Sequence, residues 1–260
     1  MNLIHKTALV SEDANIAENV SIGPYSIIGP EVSIGKNSVI DSHVVIKGKT
    51  TIGSENHIYS FTSIGDDPQD KKYNNEDTAV EIGNRNTIRE YTTINKGTVQ
   101  DVGTTRLGDD NWIMAYVHIA HDCQVGSNTI FANNTTLGGH VIVGDYVIFG
   151  GFSGAHQYCK IGAHSFLGMY SGVARDLPPY VIVMGQPAEP RGINLEGLKR
   201  RDFNSDQIRN IKTAYKYLYM SELRLEEAIS KIQAIDDIDG EITTLFEFLK
   251  DATRGIVRKN

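Results

Sequence analysis

Aliphatic residues recur at every sixth position of the chain. Ile4, Val10, Ile16, Ile22, Ile28, Ile34, Ile40, Ile46, Ile52, Ile58 and Ile64 follow one another without a miss. A second block gives Ile82, Ile88 and Ile94, and a third runs from Leu107 through Ile113, Ile119, Val125, Phe131, Leu137, Val143, Phe149, Ala155, Ile161 and Leu167 to Val173. A period of six fits neither the 3.6-residue helix nor a long flat strand, so the chain must turn after each short extended segment. Three such hexads close a triangular coil of about 18 residues, with the repeated aliphatic positions stacked inside and the polar ones facing out. Glycine often comes next, as at Gly23, Gly35, Gly53, Gly126 and Gly144, where a Cβ would clash at a tight corner. The pattern predicts a mainly β chain built as a parallel β-helix of hexapeptide repeats.

Two stretches interrupt it. The segment 66–79, "DDPQDKKYNNEDTA", is polar and has Asp70 and Glu76 where aliphatic residues are due. Around 97–105 the spacing from Ile94 to Leu107 is one residue longer than two hexads. Both are expected to loop out, and loops on a rigid scaffold commonly carry function. After about Pro190 helical composition takes over. Asn204 with Gln207 reads as a capping box, and "IRNIKTAYKYLYM" carries apolar residues at helical spacing. The expected division is residues 1–190 for the β-helix and 191–260 for a small α-helical domain, with helices from about Leu195 and breaks near Ser221 and 236–240.

Composition changes this picture little. With 260 residues, 40% of them hydrophobic and 22% charged, the chain reads as soluble and globular. It has neither a secretory leader nor an apolar run of the roughly 18 residues that a membrane span needs, so a cytoplasmic location is expected. A net charge of -7 disfavours nonspecific nucleic-acid binding. That charge is uneven: residues 191–260 hold 13 Lys and Arg against 12 Asp and Glu, which makes "LKRR" at 198–201 a basic patch on an acidic protein. Such a run is either a solvated helix face or a dock for an acidic partner. Cys123 and Cys159 lie two coils apart, about 10 Å and beyond disulfide reach, and are expected to be reduced.

Candidate chemistry gathers in "HIAHDC", "GGH" and "AHQ". Counted around an 18-residue coil, His121, His140 and His156 fall within two positions of one another on successive turns. They are therefore expected to form a ladder, with His118 one strand earlier. A ladder of this kind is either surface polarity, a metal site or a catalytic base. No acidic or cysteine cluster completes a zinc set, so no metal is expected. An imidazole is the natural base near neutral pH, and a carboxylate on its second nitrogen would hold the tautomer. Asp122 is adjacent, but consecutive strand residues point to opposite faces unless a corner breaks the alternation.

The motifs "HIAHDC", "GGHVIVGD", "HQYCKIGAHSF", "DLPPYVIVMGQPAEPRGINLEGLKRR" and "QDKKY" resemble the bacterial UDP-N-acetylglucosamine 3-O-acyltransferase family over the whole chain. The resemblance implies that the β-helix is left-handed and that the protein is a homotrimer with active sites between neighbouring prisms. It also implies an activity: moving an R-3-hydroxyacyl group from acyl carrier protein to the 3-hydroxyl of UDP-N-acetylglucosamine, the first step of lipid A synthesis. No cofactor of the enzyme's own is implied, since the donor rides on the carrier's phosphopantetheine. Carried over by position, His121 is the general base, Asp122 its partner and Gly139 the oxyanion donor. Asp70, Lys72, His118, His140, His156, Gln157, Asn194, Glu196, Arg200 and Arg201 become contacts to nucleotide-sugar, acyl chain or carrier, and Met169 becomes the end of the acyl groove. Lys71 beside Lys72 leaves the choice between them to their alignment with Tyr73. Neither cysteine shares the histidines' sector, which favours direct transfer over a thiol intermediate. The alternatives are a UDP-3-O-acylglucosamine N-acyltransferase, whose uridine-binding domain precedes its hexads while here they begin at Ile4, a noncatalytic hexapeptide scaffold, and a γ-class zinc hydratase.

Overall fold

The computed structural model describes residues 3–258 and winds them as the hexads predict. Twenty-six short strands, β1–β26, run from Leu3–Ile4 to Gly172–Val173 and are followed by β27 (Val181–Met184) and β28 (Glu189–Ile193). Every third strand pairs in parallel, which generates three sheets as the sides of a prism. The register keeps each hexad residue over its counterpart: Ile4 on Ile22, Ile22 on Ile40, Ile40 on Ile58. Ile58 then pairs with Ile88 and Ile94 with Ile119, so the two interruptions lengthen their coils by 12 and 7 residues while the stack above and below stays in register.

The aliphatic column is the core, with Ile22 through Ile94 almost wholly buried. Phe131 and Phe149 stack inside it with ring centroids 4.6 Å apart. Among the described residues the first coil has no neighbour beneath it, and Ile4 is 44% exposed. Many prism corners are turned by a residue of positive φ, mostly asparagines, aspartates, histidines and aromatics, with Glu55 and Arg85 among them, rather than by the glycines of the repeat. The repeat glycines answer a different constraint: a Cβ on Gly35 would lie 2.5 Å from the carbonyl carbon of Gly53 on the next coil. They are small because the coils touch there. One corner carries a line of stacked rings, Tyr25, His43, Phe61, Tyr91 and Tyr116, with successive centroids 5.2, 5.0, 5.1 and 4.9 Å apart.

β27 and β28 form an antiparallel hairpin that closes the far end, so residue 190 falls inside β28 and not at an element boundary. Four helices follow: α1 (Leu195–Lys199), α2 (Ser205–Tyr219), α3 (Leu225–Gln233) and α4 (Glu241–Lys250). The capping box of α2 is formed, with Asn204 Oδ1 accepting from Gln207 N at 3.0 Å and Gln207 Oε1 accepting from Asn204 N at 2.8 Å. The helices bury their own core around Leu198, Ile211, Leu218, Ile232 and Leu245. The chain then returns to the prism, where the buried Asp176 carboxylate accepts from Lys160 N and Arg254 N. No described helix is long and apolar enough to cross a membrane.

Candidate active site

The first question is how two consecutive residues can share one task. Asp122 turns a corner with φ 59°, which cancels strand alternation and brings its Oδ2 to 2.9 Å from His121 Nδ1. The second loop fixes that carboxylate. Thr98 donates its N–H to both Asp122 oxygens at 2.9 and 3.0 Å and its hydroxyl to Oδ2 at 2.7 Å, while Thr105 Oγ1 accepts from Asp122 N at 2.8 Å. Burial pushes the Asp122 carboxyl up, but the hydrogen bonds from His121 and Thr98, together with the nearby His140, outweigh it and hold the group below the usual carboxylate range. Asp122 is thus a buried anion, and it faces the imidazole that would need one when it takes a proton.

Gly139 lies against the ring. A Cβ there would sit 2.5 Å from His121 Cε1 and 2.6 Å from Nε2, so only glycine allows this approach. Its N–H donates to no group of the described residues, whereas its carbonyl accepts from Tyr158 N at 3.0 Å. His140, one coil on from Asp122, meets His121 edge to face at 4.8 Å and stacks flat on Tyr158 at 4.2 Å. His140 Nδ1 lies 2.8 Å from Asp101 Oδ2 and 3.7 Å from Asp122 Oδ2. His118 is held by Thr93, its Nδ1 2.7 Å from Thr93 Oγ1; burial, and then the neighbouring His121, push its pKa down.

His121 and His140 line a cleft of about 360 Å³ with Gln157 and Tyr158; the first loop contributes Gln69, Asp70, Lys71 and Lys72 and the second contributes Gln100. Both Lys71 and Lys72 line it. The first loop is pinned by Lys96, whose Nζ is 3.1 Å from Asp67 Oδ1 and 5.2 Å from the centre of the Tyr73 ring.

The remaining expected residues lie elsewhere on the chain. His156 does not continue the ladder; its Nδ1 is 3.1 Å from Gln157 O, and it lines a separate groove of about 670 Å³ with Gly154 and Gly172. The reason is the corner. His121, Gly139 and Gln157 are in register 18 residues apart, as are Asp122, His140 and Tyr158, whereas His156 is in register with Gly138. Counting within two positions was too coarse, because the corner turns between them. Asn194 caps α1, accepting from Gly197 N at 3.2 Å and donating to His164 O at 2.9 Å. Glu196 pairs with Lys199 at 3.5 Å. Arg201 donates to Gly197 O at 3.0 Å and lies over Tyr146 at 4.7 Å, beside the stack of Tyr146 and His164. Arg200 is the C-cap of α1. Met169 is 60% exposed. It stands one residue before Tyr170, which stacks on Phe152 at a third corner. The candidate residues of one chain therefore stand at different corners of the prism.

Sequence reasoning missed Thr98, Gln100, Asp101 and Tyr158. The register break at 97–105 marked their loop, but nothing in the sequence told which of its side chains turn inward. His121, Asp122 and His140 also offer three ligand atoms within 4.8 Å of one another. The Nδ1 atoms of both rings face carboxylate and the Asp122 oxygens are held by Thr98 and His121, an arrangement that suits an acid–base network with each Nε2 left for substrate. Both cysteines are free and buried; burial first of all pushes Cys123 up to about 12 and Cys159 up to about 11, which suits neither for nucleophilic work.

Known proteins match the chain along its whole length. A model of bacterial hexapeptide transferase repeats matches residues 13–48 and 104–139, and one described as UDP N-acetylglucosamine O-acyltransferase, domain 2, matches residues 176–257. The acyl-(acyl-carrier-protein) UDP-N-acetylglucosamine O-acyltransferase of Thiobacillus denitrificans is 56% identical over 99% of this chain and 100% of its own length. That of Herminiimonas arsenicoxydans is 55% identical over the same shares. Among solved structures, the UDP-N-acetylglucosamine acyltransferase of Francisella novicida superposes with a TM-score of 0.96 at 41% identity, covering 99% of this chain and 94% of that one. The Moraxella catarrhalis O-acyltransferase gives 0.95 at 42%, covering 98% and 99%. The β-helix is left-handed, as in those neighbours, and the chain belongs to the UDP-N-acetylglucosamine O-acyltransferase family.

Proposed function

We infer that the chain transfers an R-3-hydroxyacyl group from acyl carrier protein to the 3-hydroxyl of UDP-N-acetylglucosamine, the first step of lipid A synthesis. The observation that carries the chemistry is the His121–Asp122 pair under Gly139. His121 Nε2 takes the proton of the sugar hydroxyl, and Asp122 stabilises the imidazolium through Nδ1. The sugar oxygen attacks the thioester carbonyl, and the carbonyl oxygen gains negative charge beside the free N–H of Gly139. Collapse breaks the C–S bond, and the imidazolium returns its proton to the departing thiolate. No covalent enzyme intermediate is needed, in keeping with two cysteines whose thiols are held protonated. No cofactor of the enzyme's own enters the scheme. Asp70 and Lys72, with Lys71, line the same cleft as His140 and Gln157 and are assigned to the nucleotide-sugar; His118 borders the base. The cytoplasm, where the carrier protein works, is the proposed location.

Arg200, Arg201, Asn194 and Glu196 stand with the Tyr146–His164 corner, away from the His121 cleft. His156 and Met169 lie near a third corner. We propose that three copies assemble side by side, so that the cleft of one faces the α1 segment or small-residue groove of another. The exposed ring line from Tyr25 to Tyr116 gives this assembly an apolar seam. Release of free carrier thiol, dependent on UDP-N-acetylglucosamine, tests the reaction; a purified protein that releases none overturns it. Sedimentation as a monomer at working concentration overturns the shared site.

A further inference from the structure

We propose that Asp101 is a positioning residue: it takes the Nδ1–H of His140 and thereby keeps Asp122 for His121. The two histidine rings are 4.8 Å apart and both turn Nδ1 towards carboxylate. Asp122 Oδ2 already accepts from His121 Nδ1 at 2.9 Å, from Thr98 Oγ1 at 2.7 Å and from Thr98 N at 3.0 Å. A carboxylate oxygen has two lone-pair sites, so Oδ2 is fully subscribed. His140 Nδ1 stands 3.7 Å from that same oxygen, outside hydrogen-bond range, and 2.8 Å from Asp101 Oδ2. The nearer acceptor wins. In the neutral ring this places the His140 proton on Nδ1 and leaves Nε2 an acceptor towards the cleft that His140 lines. Remove Asp101, and the nearest carboxylate for that proton is Asp122, where it competes with His121 for the orienting bond. The same short loop supplies both parts of the arrangement, with Thr98 clamping Asp122 and Asp101 holding His140. Its insertion into the coil therefore serves to divide two carboxylates between two histidines.

The inference rests on His121 being the base, and the experiment separates the two ideas. In the wild-type enzyme, ¹⁵N spectra of the imidazoles should show the neutral His140 ring protonated at Nδ1, and in Asp101→Ala the His121 Nδ1 signal should shift as its bond to Asp122 is contested. At saturating substrates Asp101→Ala should lower kcat about tenfold without a change in melting temperature, the scale of coupling expected within one hydrogen-bond network. Asp101→Asn, whose amide oxygen still accepts, should recover most of the loss. In a His140→Ala background the further change Asp101→Ala should alter kcat less than about twofold, because the competing donor is gone. Protonation of wild-type His140 at Nε2, wild-type kcat in Asp101→Ala, an Asn variant no better than Ala, or equal losses in both backgrounds would each overturn the proposal. Full activity in His121→Ala would instead overturn the assignment of the base.

Discussion

His121 and Asp122 are consecutive in the chain, yet Nδ1 of one and Oδ2 of the other are hydrogen-bonded at 2.9 Å, because the corner at Asp122 has φ 59°. Asp122 is buried, whereas His121 is partly exposed and contributes nothing to the aliphatic column, so His121 can be altered without loss of the fold. His121→Ala is expected to lower kcat by about 10²- to 10⁴-fold, the usual scale for loss of a general base, while UDP-N-acetylglucosamine still binds. Steady-state kinetics beside calorimetric titration of the nucleotide-sugar checks this. Near wild-type turnover would pass the role of base to His140 or His156.

Gly139→Ala tests the oxyanion side. The new methyl would meet the His121 ring at 2.5 Å, and the imidazole would have to swing away from Asp122. Turnover should fall by about 10²-fold or more, a displacement of the order of 1 Å being enough for that, while thermal stability changes little. A fully active alanine variant would show that the ring does not need this seat.

The prism was legible because each aliphatic position reports burial directly: Ile22 to Val173 recur at the fixed step, and the register follows. The capping box at Asn204 was legible for the same local reason. Asp122's contact with His121 was readable only as an exception, since the sequence marks a corner but not its φ. Asp101 was not readable at all, because its partner lies 39 positions on and no spacing rule connects a loop to the coil above it. His156 misled for a related reason: one residue of offset at a corner changes which way a side chain faces.

Stability should depend on His164. Burial, and then Arg201, push its pKa down to about 4 from an ordinary 6.5. Above 6.5 both folded and unfolded states are neutral and the protein keeps full stability. As pH falls from 6.5 towards 4 the unfolded chain binds a proton that the folded one refuses, so up to about 3 kcal/mol is lost. His164→Phe keeps a ring on Tyr146 and should flatten this part of the profile. Denaturant midpoints at equal protein concentration between pH 7 and 4.5 decide it: parallel curves for the two proteins would locate the acid sensitivity elsewhere.

Arg201 is half-buried over Tyr146, and its guanidinium donates to Gly197 O. Only part of its donor set is used, which leaves the rest for phosphate of UDP or of the carrier arm. Arg201→Glu should raise KM for acyl carrier protein, and added salt should raise it for the wild type. If neither constant moves, "LKRR" is a solvated helix start.

Met169 should limit the acyl chain. It stands beside Gly168 and Tyr170 with 60% of its surface exposed, and its Cε comes within 4.0 Å of where a Cβ on Gly151 would lie. An exposed methionine on a coil corner does little for the core of its own chain, so its bulk is available to close a groove completed by a neighbouring copy. Each methylene excluded from such a groove forfeits about 0.8 kcal/mol of burial, roughly fourfold in binding, so two carbons separate donors clearly. The wild type should prefer 3-hydroxydecanoyl and 3-hydroxylauroyl donors to 3-hydroxymyristoyl, and Met169→Gly should shift the preference to longer chains with little change in melting temperature. Competition among the three acyl carriers, with products resolved by mass, reads both proteins at once. A wild type that favours myristoyl, or a variant with an unmoved preference, would mean that the groove ends at another residue.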